Sequence, residues 1–232
     1  MTSRPTKTGF EESSPTTLSK QPLWQYLLQD YLQLYRTGSA GGSRLIRAHM
    51  ADASALLAKA MEEDPPVVAG AGEALPVCVH LDRALSGASN YVTASLARSV
   101  GLIREHLVWR YGYDEVPDGL RLNFAFAEIL GPVGPIRSDH LKLGLVLFAP
   151  STTYPTHSHE DICESYINIS GHVSENDTGV SAPGSLIFNP PGQQHCITTA
   201  DREPCLLSYV WTGASETLRT HKLRFSENAG TA

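Results

Sequence analysis

The chain has little of what several classes of protein require. Its four cysteines form no Cys-x-x-Cys pair, which argues against a zinc ribbon and against a dense disulfide framework. Only 18% of the residues are charged, the formal net charge is -6 and no basic block appears, so neither nucleic acid nor an anionic membrane is an expected partner. No apolar run reaches the roughly 18 residues that span a bilayer, and the N-terminus lacks the apolar core of a signal peptide. We therefore expect a cytoplasmic protein that acts on a small molecule.

The first half of the chain predicts helices. With 232 residues, of which 41% are apolar, the chain can form one domain with an appendage or two small domains. Residues 1–20 are rich in Ser, Thr, Pro and Lys without periodicity, which predicts a flexible tail. Apolar residues then recur at three- and four-residue intervals over 23–35, and a second helix is expected over 44–61. Residues 21–119 are therefore predicted to be a helical region.

The second half predicts a β-barrel. From about residue 120 the hydrophobic period falls to two, as at Leu143, Leu145 and Leu147. Short strand-like runs follow at intervals of about ten residues, separated by Gly, Pro and Asn turns, and the last covers 218–225. This spacing is typical of a double-sheet barrel or jelly roll, predicted here for residues 120–232.

One segment carries the side chains of a metal site. His157 and His159 are two apart on a presumed strand, so their imidazoles share a face, and Glu164 begins the next strand after a short turn. His195 follows a Pro-Gly turn further along the chain. Three imidazoles and a carboxylate suit first-row divalent metals such as iron, manganese, nickel or zinc, and positions left for substrate make such a site catalytic. The competing interpretation is that the first two histidines are surface residues on a turn.

These residues resemble the two motifs of the cupin superfamily. The first motif, G-x5-H-x-H-x3/4-E-x6-G, is matched from Ser151, which replaces the initial Gly, to Gly171. The second, G-x5-P-x-G-x2-H-x3-N, is matched from Gly184 to Thr199, which replaces the final Asn. Both departures lie outside the ligand set. The resemblance covers residues 120–225 and implies a mainly β fold, a cupin double-stranded β-helix packed with the N-terminal α-helices.

Within the cupins, the aromatic residues resemble those of the bacterial lyases of dimethylsulfoniopropionate (DMSP), and the chain length and helical N-terminal half resemble the L-type members. Tyr166 lies two residues past Glu164 and so faces the same interior, while Tyr154 is expected at the rim of the same pocket. The likeness implies a carbon-sulfur lyase that cleaves its zwitterionic substrate to acrylate and dimethyl sulfide by β-elimination. It implies one bound Fe2+, Zn2+ or Mn2+ ion held by His157, His159, Glu164 and His195.

The same resemblance implies roles for the aromatic side chains. Tyr166 is the candidate general base, and Tyr154 is expected to assist it or exchange roles with it. Trp211 and Tyr209 would offer aromatic faces to the sulfonium group. Alternatively, Tyr166 is only a core aromatic residue and Trp211 is only part of the packing.

Two other functions remain open from the sequence. One is an iron-dependent cupin dioxygenase of a small thiol or acid. The other is a non-catalytic cupin that binds a small ligand and regulates a partner, although no helix-turn-helix or basic region supports it. The N-terminal helices are expected to cover part of the barrel or to form the contact of a homodimer.

Overall fold

The computed structural model describes residues 16–38, 43–113 and 116–220, which form a helical region and two β-sheets. The helices are α1 (Pro22–Thr37), α2 (Arg44–Glu62), α3 (Leu81–Gly87), α4 (Ala94–Ile103), α5 (Asp118–Arg121) and α6 (Ser215–Thr220). The strands are β1 (Thr16–Thr17), β2 (Pro66–Val67), β3 (Phe124–Gly131), β4 (Ile136–Arg137), β5 (Lys142–Phe148), β6 (Thr153–His157), β7 (Ile162–Ser170), β8 (Val173–Glu175), β9 (Val180–Ser181), β10 (Leu186–Asn189), β11 (His195–Thr199) and β12 (Cys205–Gly213).

The strands form a larger sheet and a smaller sheet that face each other. The larger has the order β1-β2-β4-β3-β5-β12-β7-β10, and the smaller has the order β6-β11-β8-β9. One buried apolar cluster combines side chains of both sheets, including Phe124 and Phe148 from the larger and Tyr154 and Ile197 from the smaller. A two-sheet barrel preceded by helices confirms the predicted fold class.

The larger sheet is buried on both faces, and the alternation of its side chains separates them. On β5, Leu143, Leu145 and Leu147 belong to a cluster shared with the helices, whereas Val146 and Phe148 belong to the barrel interior. The same alternation on β3, β7 and β12 explains why the sequence shows nearly continuous apolar runs there rather than a strict polar alternation. The interior face is the one that carries the functional residues.

Helices α1 and α2 cover the outer face of this sheet. Helix α1 begins with Pro22, which suits a first helical position, and it buries one face through residues that include Leu27, Leu28 and Tyr31. Its Tyr31 hydroxyl donates to the Gly144 carbonyl oxygen on β5 at 3.2 Å. Hydrogen bonds therefore fix the helix to the sheet in addition to apolar packing.

Two predictions about the ends of the chain need correction. Thr16–Thr17 pairs with β2 and Leu18 is buried, so the predicted flexible tail over 1–20 is wrong for its last five residues, 16–20. The strand predicted over 218–225 is also wrong where it is described, because Leu218 lies in helix α6 and buries its side chain from there. Residues 1–15 and 221–232 lie outside the described residues. Within the described ranges, no helix is both long and apolar enough to cross a membrane.

Candidate metal centre and active site

Four side chains from both sheets converge in the barrel interior. His157 ends β6 and His195 begins β11, and the two are directly paired in the smaller sheet. Glu164 is the third residue of β7 in the larger sheet, and His159 lies in the loop after β6 rather than on a strand. All four are buried, and their ligand atoms lie within 4.8 Å of one another. The structure thus brings the four predicted ligands together.

Left-handed backbone conformations occur in the turns of both motifs. Gly171, which ends the first motif, has φ +76°, and a Cβ there would lie 2.4 Å from the carbonyl oxygen of Pro204. Ser151 holds the position of the first motif glycine with φ 55°, a conformation that glycine adopts at lower cost. Gly192 donates its amide to the carbonyl oxygen of His159 at 2.8 Å and so fixes the loop that carries this histidine.

The hydrogen bonds of two histidines orient their rings toward the cluster. The Nδ1 atom of His157 donates to the Pro155 carbonyl oxygen at 2.9 Å, and that of His195 donates to the Gln193 carbonyl oxygen at 3.1 Å. In the neutral rings Nε2 therefore keeps its lone pair, as in metal-ligating histidines. The buried Nε2 of His195 lies 2.9 Å from Oε2 of Glu164 but makes no aligned hydrogen bond with any described residue. This donor set and geometry fit a divalent metal ion.

Glu164 is the anionic centre of the site. Burial alone would raise its pKa, but the adjacent His159 and His195 outweigh burial and hold the pKa well below its usual range. The indole of Trp211 donates to Oε1 of Glu164 at 2.6 Å, and the amide of Asn189 approaches Oε2 at 3.4 Å. The carboxylate is therefore ionised and held in place.

The His157 side chain is neutral at pH 7, the form that can bind a metal ion. Burial, followed by the charge of His195, lowers the pKa of His157 to about 3. A neutral imidazole is the form that binds a metal ion. At neutral pH this side chain needs no deprotonation before it can act as a ligand.

The two predicted tyrosines lie beside the cluster. Tyr166 shares the interior face of β7 with Glu164, and its ring centroid lies 6.4 Å from that of His195. The Tyr154 ring lies 4.8 Å from the His157 ring, and its hydroxyl contacts that of Tyr113. Burial, with a further contribution from Glu164, raises the pKa of both Tyr154 and Tyr166 well above the usual value. Both are phenols unless a nearby cation favours the phenolate.

The predicted aromatic pair forms another wall of the same space. Tyr209 and Trp211 are buried on the interior face of β12 with ring centroids 5.6 Å apart, and the Trp211 ring lies 4.7 Å from the ring of His159. A cavity of about 520 Å³ is lined by three of the four predicted ligands and by all four predicted aromatic residues. Each substrate-facing side chain proposed from the sequence therefore reaches this cavity.

Three residues of the site were not found from the sequence. Tyr113 precedes the barrel and meets Tyr154 only through the tertiary fold. Lys142 lines the cavity from the start of β5, and nothing in its local sequence distinguishes it from a surface lysine. Asn189 also donates to Glu175 at 2.9 Å. It lies immediately before the Pro-Gly turn of the second motif, and this position in the sequence could have indicated that it belongs to the site.

Comparison with curated proteins finds close relatives among DMSP lyases. The chain is 49% identical over 209 residues, 90% of each protein, to a Cereibacter sphaeroides protein assigned as the DMSP lyase DddL. It is 30% identical over 122 residues to the DMSP lyase DddQ of Ruegeria pomeroyi, covering 47% of this chain and 56% of that protein. The first relative matches nearly the whole chain, helical region included.

Solved structures share the fold at lower identity. A chain from the crystal structures of the DMSP lyases RdDddP and RnDddQII superposes with a TM-score of 0.68 at 23% identity, covering 89% of this chain and 99% of that chain. The crystal structure of DddQ from Ruegeria pomeroyi DSS-3 gives a TM-score of 0.66 at 19% identity, covering 91% and 100%. A profile of the dimethylsulfoniopropionate lyase family matches residues 48–207. The chain therefore belongs to the family of dimethylsulfoniopropionate lyases, which are carbon-sulfur lyases.

Proposed function

We propose that this chain is a metal-dependent enzyme that cleaves DMSP to acrylate and dimethyl sulfide by β-elimination. The observation that carries the proposal is the shared position of Tyr166 and the buried His/Glu cluster at one cavity, in a chain of this family. A cluster of this kind supports electrostatic catalysis, and the adjacent phenol supports proton transfer. Together they match the two requirements of an elimination next to a carboxylate.

His157, His159, Glu164 and His195 would hold the ion. Fe2+, Zn2+ and Mn2+ all accept imidazole and carboxylate donors, so the donor set is compatible with each of them. When bound among these side chains, a divalent ion supplies positive charge that favours a tyrosine phenolate and withdraws charge from the substrate carboxylate. Trp211 and Asn189 keep Glu164 oriented for this role.

Tyr166 is the proposed general base. As a phenolate it accepts the proton from the carbon next to the substrate carboxylate. The electron pair of that C–H bond forms the double bond of acrylate, and the C–S bond breaks with its electron pair remaining on sulfur. The products are acrylate and neutral dimethyl sulfide, and the proton rests on the Tyr166 hydroxyl.

Tyr154 is the proposed second acid-base residue. Its hydroxyl contacts the half-buried Tyr113, so a proton delivered to Tyr154 has a hydroxyl neighbour to which it can pass. Trp211 and Tyr209 are proposed to line the substrate space. The barrel walls exclude water from the reacting atoms and so strengthen the electrostatic interactions there.

The competing function is an iron-dependent dioxygenase, since three histidines and a glutamate also suit that chemistry. The two reactions differ in their need for oxygen. We expect the metal-replete protein, incubated with DMSP under argon, to form acrylate and dimethyl sulfide in equal amounts by proton NMR. Product formation that requires oxygen, or an oxygenated product, would contradict elimination.

A further inference from the structure

Lys142 lies in a cross-strand line with the proposed metal site. It is paired with Trp211 on β12, and Trp211 is paired in turn with Glu164 on β7. Directly opposed residues of antiparallel strands place their side chains on the same face. The three side chains therefore point side by side into the barrel interior, and one indole ring separates the Lys142 amine from the Glu164 carboxylate.

The charge of Lys142 is balanced, but its hydrogen-bonding capacity is not used. Its Nζ atom lies 3.9 Å from Oε2 of Glu128, which is beyond hydrogen-bonding distance. The other oxygen of Glu128 accepts the amides of Val133 and Gly134 at 2.8 and 2.7 Å. Among the described residues none accepts a hydrogen bond from Lys142, whose side chain is only 12% exposed. An ammonium group with three donors at a sheltered cavity wall is suited to an anion.

The position of Lys142 also affects where a cation can bind. Its Nζ atom lies 5.3 Å from the centroid of the Trp211 ring, so this face of the indole already contacts a positive charge. A sulfonium group at the same face would meet the ammonium at close range and be repelled. The cation-binding role expected for Trp211 is therefore disfavoured on this side of the cavity.

Uncharged aromatic rings lie on the other side of the site, next to His157. The ring centroid of Phe124 is 4.6 Å from that of Tyr154, and Phe148 lies 5.5 Å from Phe124 and 5.7 Å from Tyr154. All three rings line the cavity. Aromatic faces attract a weakly hydrated cation such as a dimethylsulfonium group.

Other cations of the cavity are less suitable than Lys142. Arg219 is exposed and forms ion pairs with Asp139 and Glu216 at 3.1 and 2.7 Å. Arg137 is exposed and donates to the carbonyl oxygen of Pro132. Arg110 is exposed, whereas Lys142 is sheltered and adjacent to the Trp211–Glu164 pair.

We propose that Lys142 is the substrate carboxylate-binding residue and that the sulfonium end points away from it, toward the ring of Tyr154. This assignment rests on the proposed function and adds a direction to substrate binding. A carboxylate has two oxygens, so a salt bridge to Lys142 through one leaves the other for the metal. The orientation places the carbon that loses its proton next to Lys142 and the leaving sulfur away from it.

Two simple ions test the assignment without turnover. Acrylate carries the carboxylate without the sulfonium, and trimethylsulfonium carries the sulfonium charge without the carboxylate. We compare metal-replete Glu128→Gln with the double variant Glu128→Gln/Lys142→Met by isothermal titration calorimetry. Neither variant leaves an unpaired buried carboxylate, so the comparison isolates the ammonium.

The double variant is expected to bind acrylate about 10- to 100-fold more weakly than Glu128→Gln, the range for one charged hydrogen bond. Its affinity for trimethylsulfonium should be unchanged or higher. Arg110→Gln, which removes an exposed cavity cation, should stay within about twofold of wild type for acrylate, as for other exposed charges. Equal acrylate affinities in the two Glu128 variants, including no binding in either, would overturn the assignment. Cleavage of DMSP by wild-type protein is scored separately, so failure of the proposed function is recognised independently.

Discussion

Histidine Nε2 atoms and one carboxylate define the chemistry at the scale of single residues. Replacing His157, His159 or His195 with Ala removes one donor from the proposed ion. We expect each variant to lose bound metal and activity, and to keep its circular dichroism spectrum because the barrel has its own apolar core. Metal content by mass spectrometry is the measurement, with His106→Ala, an exposed histidine, as control. Unaltered metal content in all three variants would refute the ligand set.

Tyr166 and Tyr154 differ in their expected contribution to turnover. Tyr166→Phe keeps the ring and its packing but removes the oxygen atom that is proposed to accept the proton. Turnover should fall by about 10²-fold or more, with metal content unchanged, because this is the typical effect of losing a general base. Tyr154→Phe should cost less. If instead Tyr154→Phe abolishes turnover and Tyr166→Phe does not, the base is Tyr154.

The proposal of Tyr166 as the base also predicts how activity changes with pH. Burial, followed by the charge of Glu164, raises the pKa of Tyr166, so its phenolate population grows as pH rises. Activity should therefore increase with pH toward an alkaline optimum in the metal-replete enzyme.

At the residue scale, the structure brings together side chains that the two motifs marked in the sequence. His157 and Glu164 lie on consecutive strands as expected, whereas His159 lies in the loop between them and not on the strand predicted for it. Tyr113 and Lys142 reach the cavity through strand register and loop packing, which local spacing does not encode. The sequence analysis assigned Trp211 only to the sulfonium group. It did not find that the indole N–H donates a hydrogen bond to Glu164, because spacing along one strand does not show contacts with the neighbouring strand.

At the scale of elements, strand β7 connects the helices to the active site. Ser165 points away from Glu164, and its hydroxyl lies 2.8 Å from the Tyr35 hydroxyl of α1 and 2.7 Å from Nε2 of His49 of α2. Burial is the main cause that lowers the pKa of His49 to about 4. The histidine is therefore neutral in the folded protein at pH values where it is charged in the unfolded chain.

This shift predicts a stability change with pH. An unfolded histidine has a pKa of about 6.5, so between about 6.5 and 4 the unfolded state binds the extra proton and folding is disfavoured as pH falls. The free energy of unfolding should drop by up to about 3 kcal/mol from this residue over that range. Urea unfolding of wild type and His49→Gln at pH 7 and pH 4.5 measures it, with His106→Gln as control. An equal loss in wild type and His49→Gln would contradict the assignment.

The end of the barrel shows why one element was predicted wrongly. The strand-like run over 218–225 suggested a strand, but only Leu218 of the described part is buried. Arg219 pairs with Asp139 across the fold, and this contact connects the short helix α6 to the segment before β5. A single apolar anchor fits either secondary structure, so the local pattern was insufficient.

At the scale of the whole molecule, the helical region and the barrel share one apolar cluster. The sequence predicted amphipathic helices and a barrel, but not which face of the sheet the helices cover. A helical hydrophobic pattern shows that one face of the helix is buried, but it does not show which surface that face packs against. The structure places them on the outer face of the larger sheet, over Leu143, Leu145 and Leu147. We propose that residues 21–119 act as a structural cover for the barrel of residues 120–232.

Truncation tests this cover. A chain that begins near Gly119 would expose the outer apolar face of β5 and its neighbours to water. We expect the fragment to aggregate in size-exclusion chromatography with light scattering, whereas removal of residues 1–15 alone should leave a soluble protein. A soluble, fully active fragment from about residue 120 onward would show that the helices are dispensable.

The most direct test of the central claim is headspace detection of dimethyl sulfide after the purified protein is mixed with DMSP. The metal-replete protein should release dimethyl sulfide, chelation should abolish release, and added Fe2+, Zn2+ or Mn2+ should restore it. No dimethyl sulfide from metal-replete protein, or an undiminished rate after verified removal of the metal, would contradict the account.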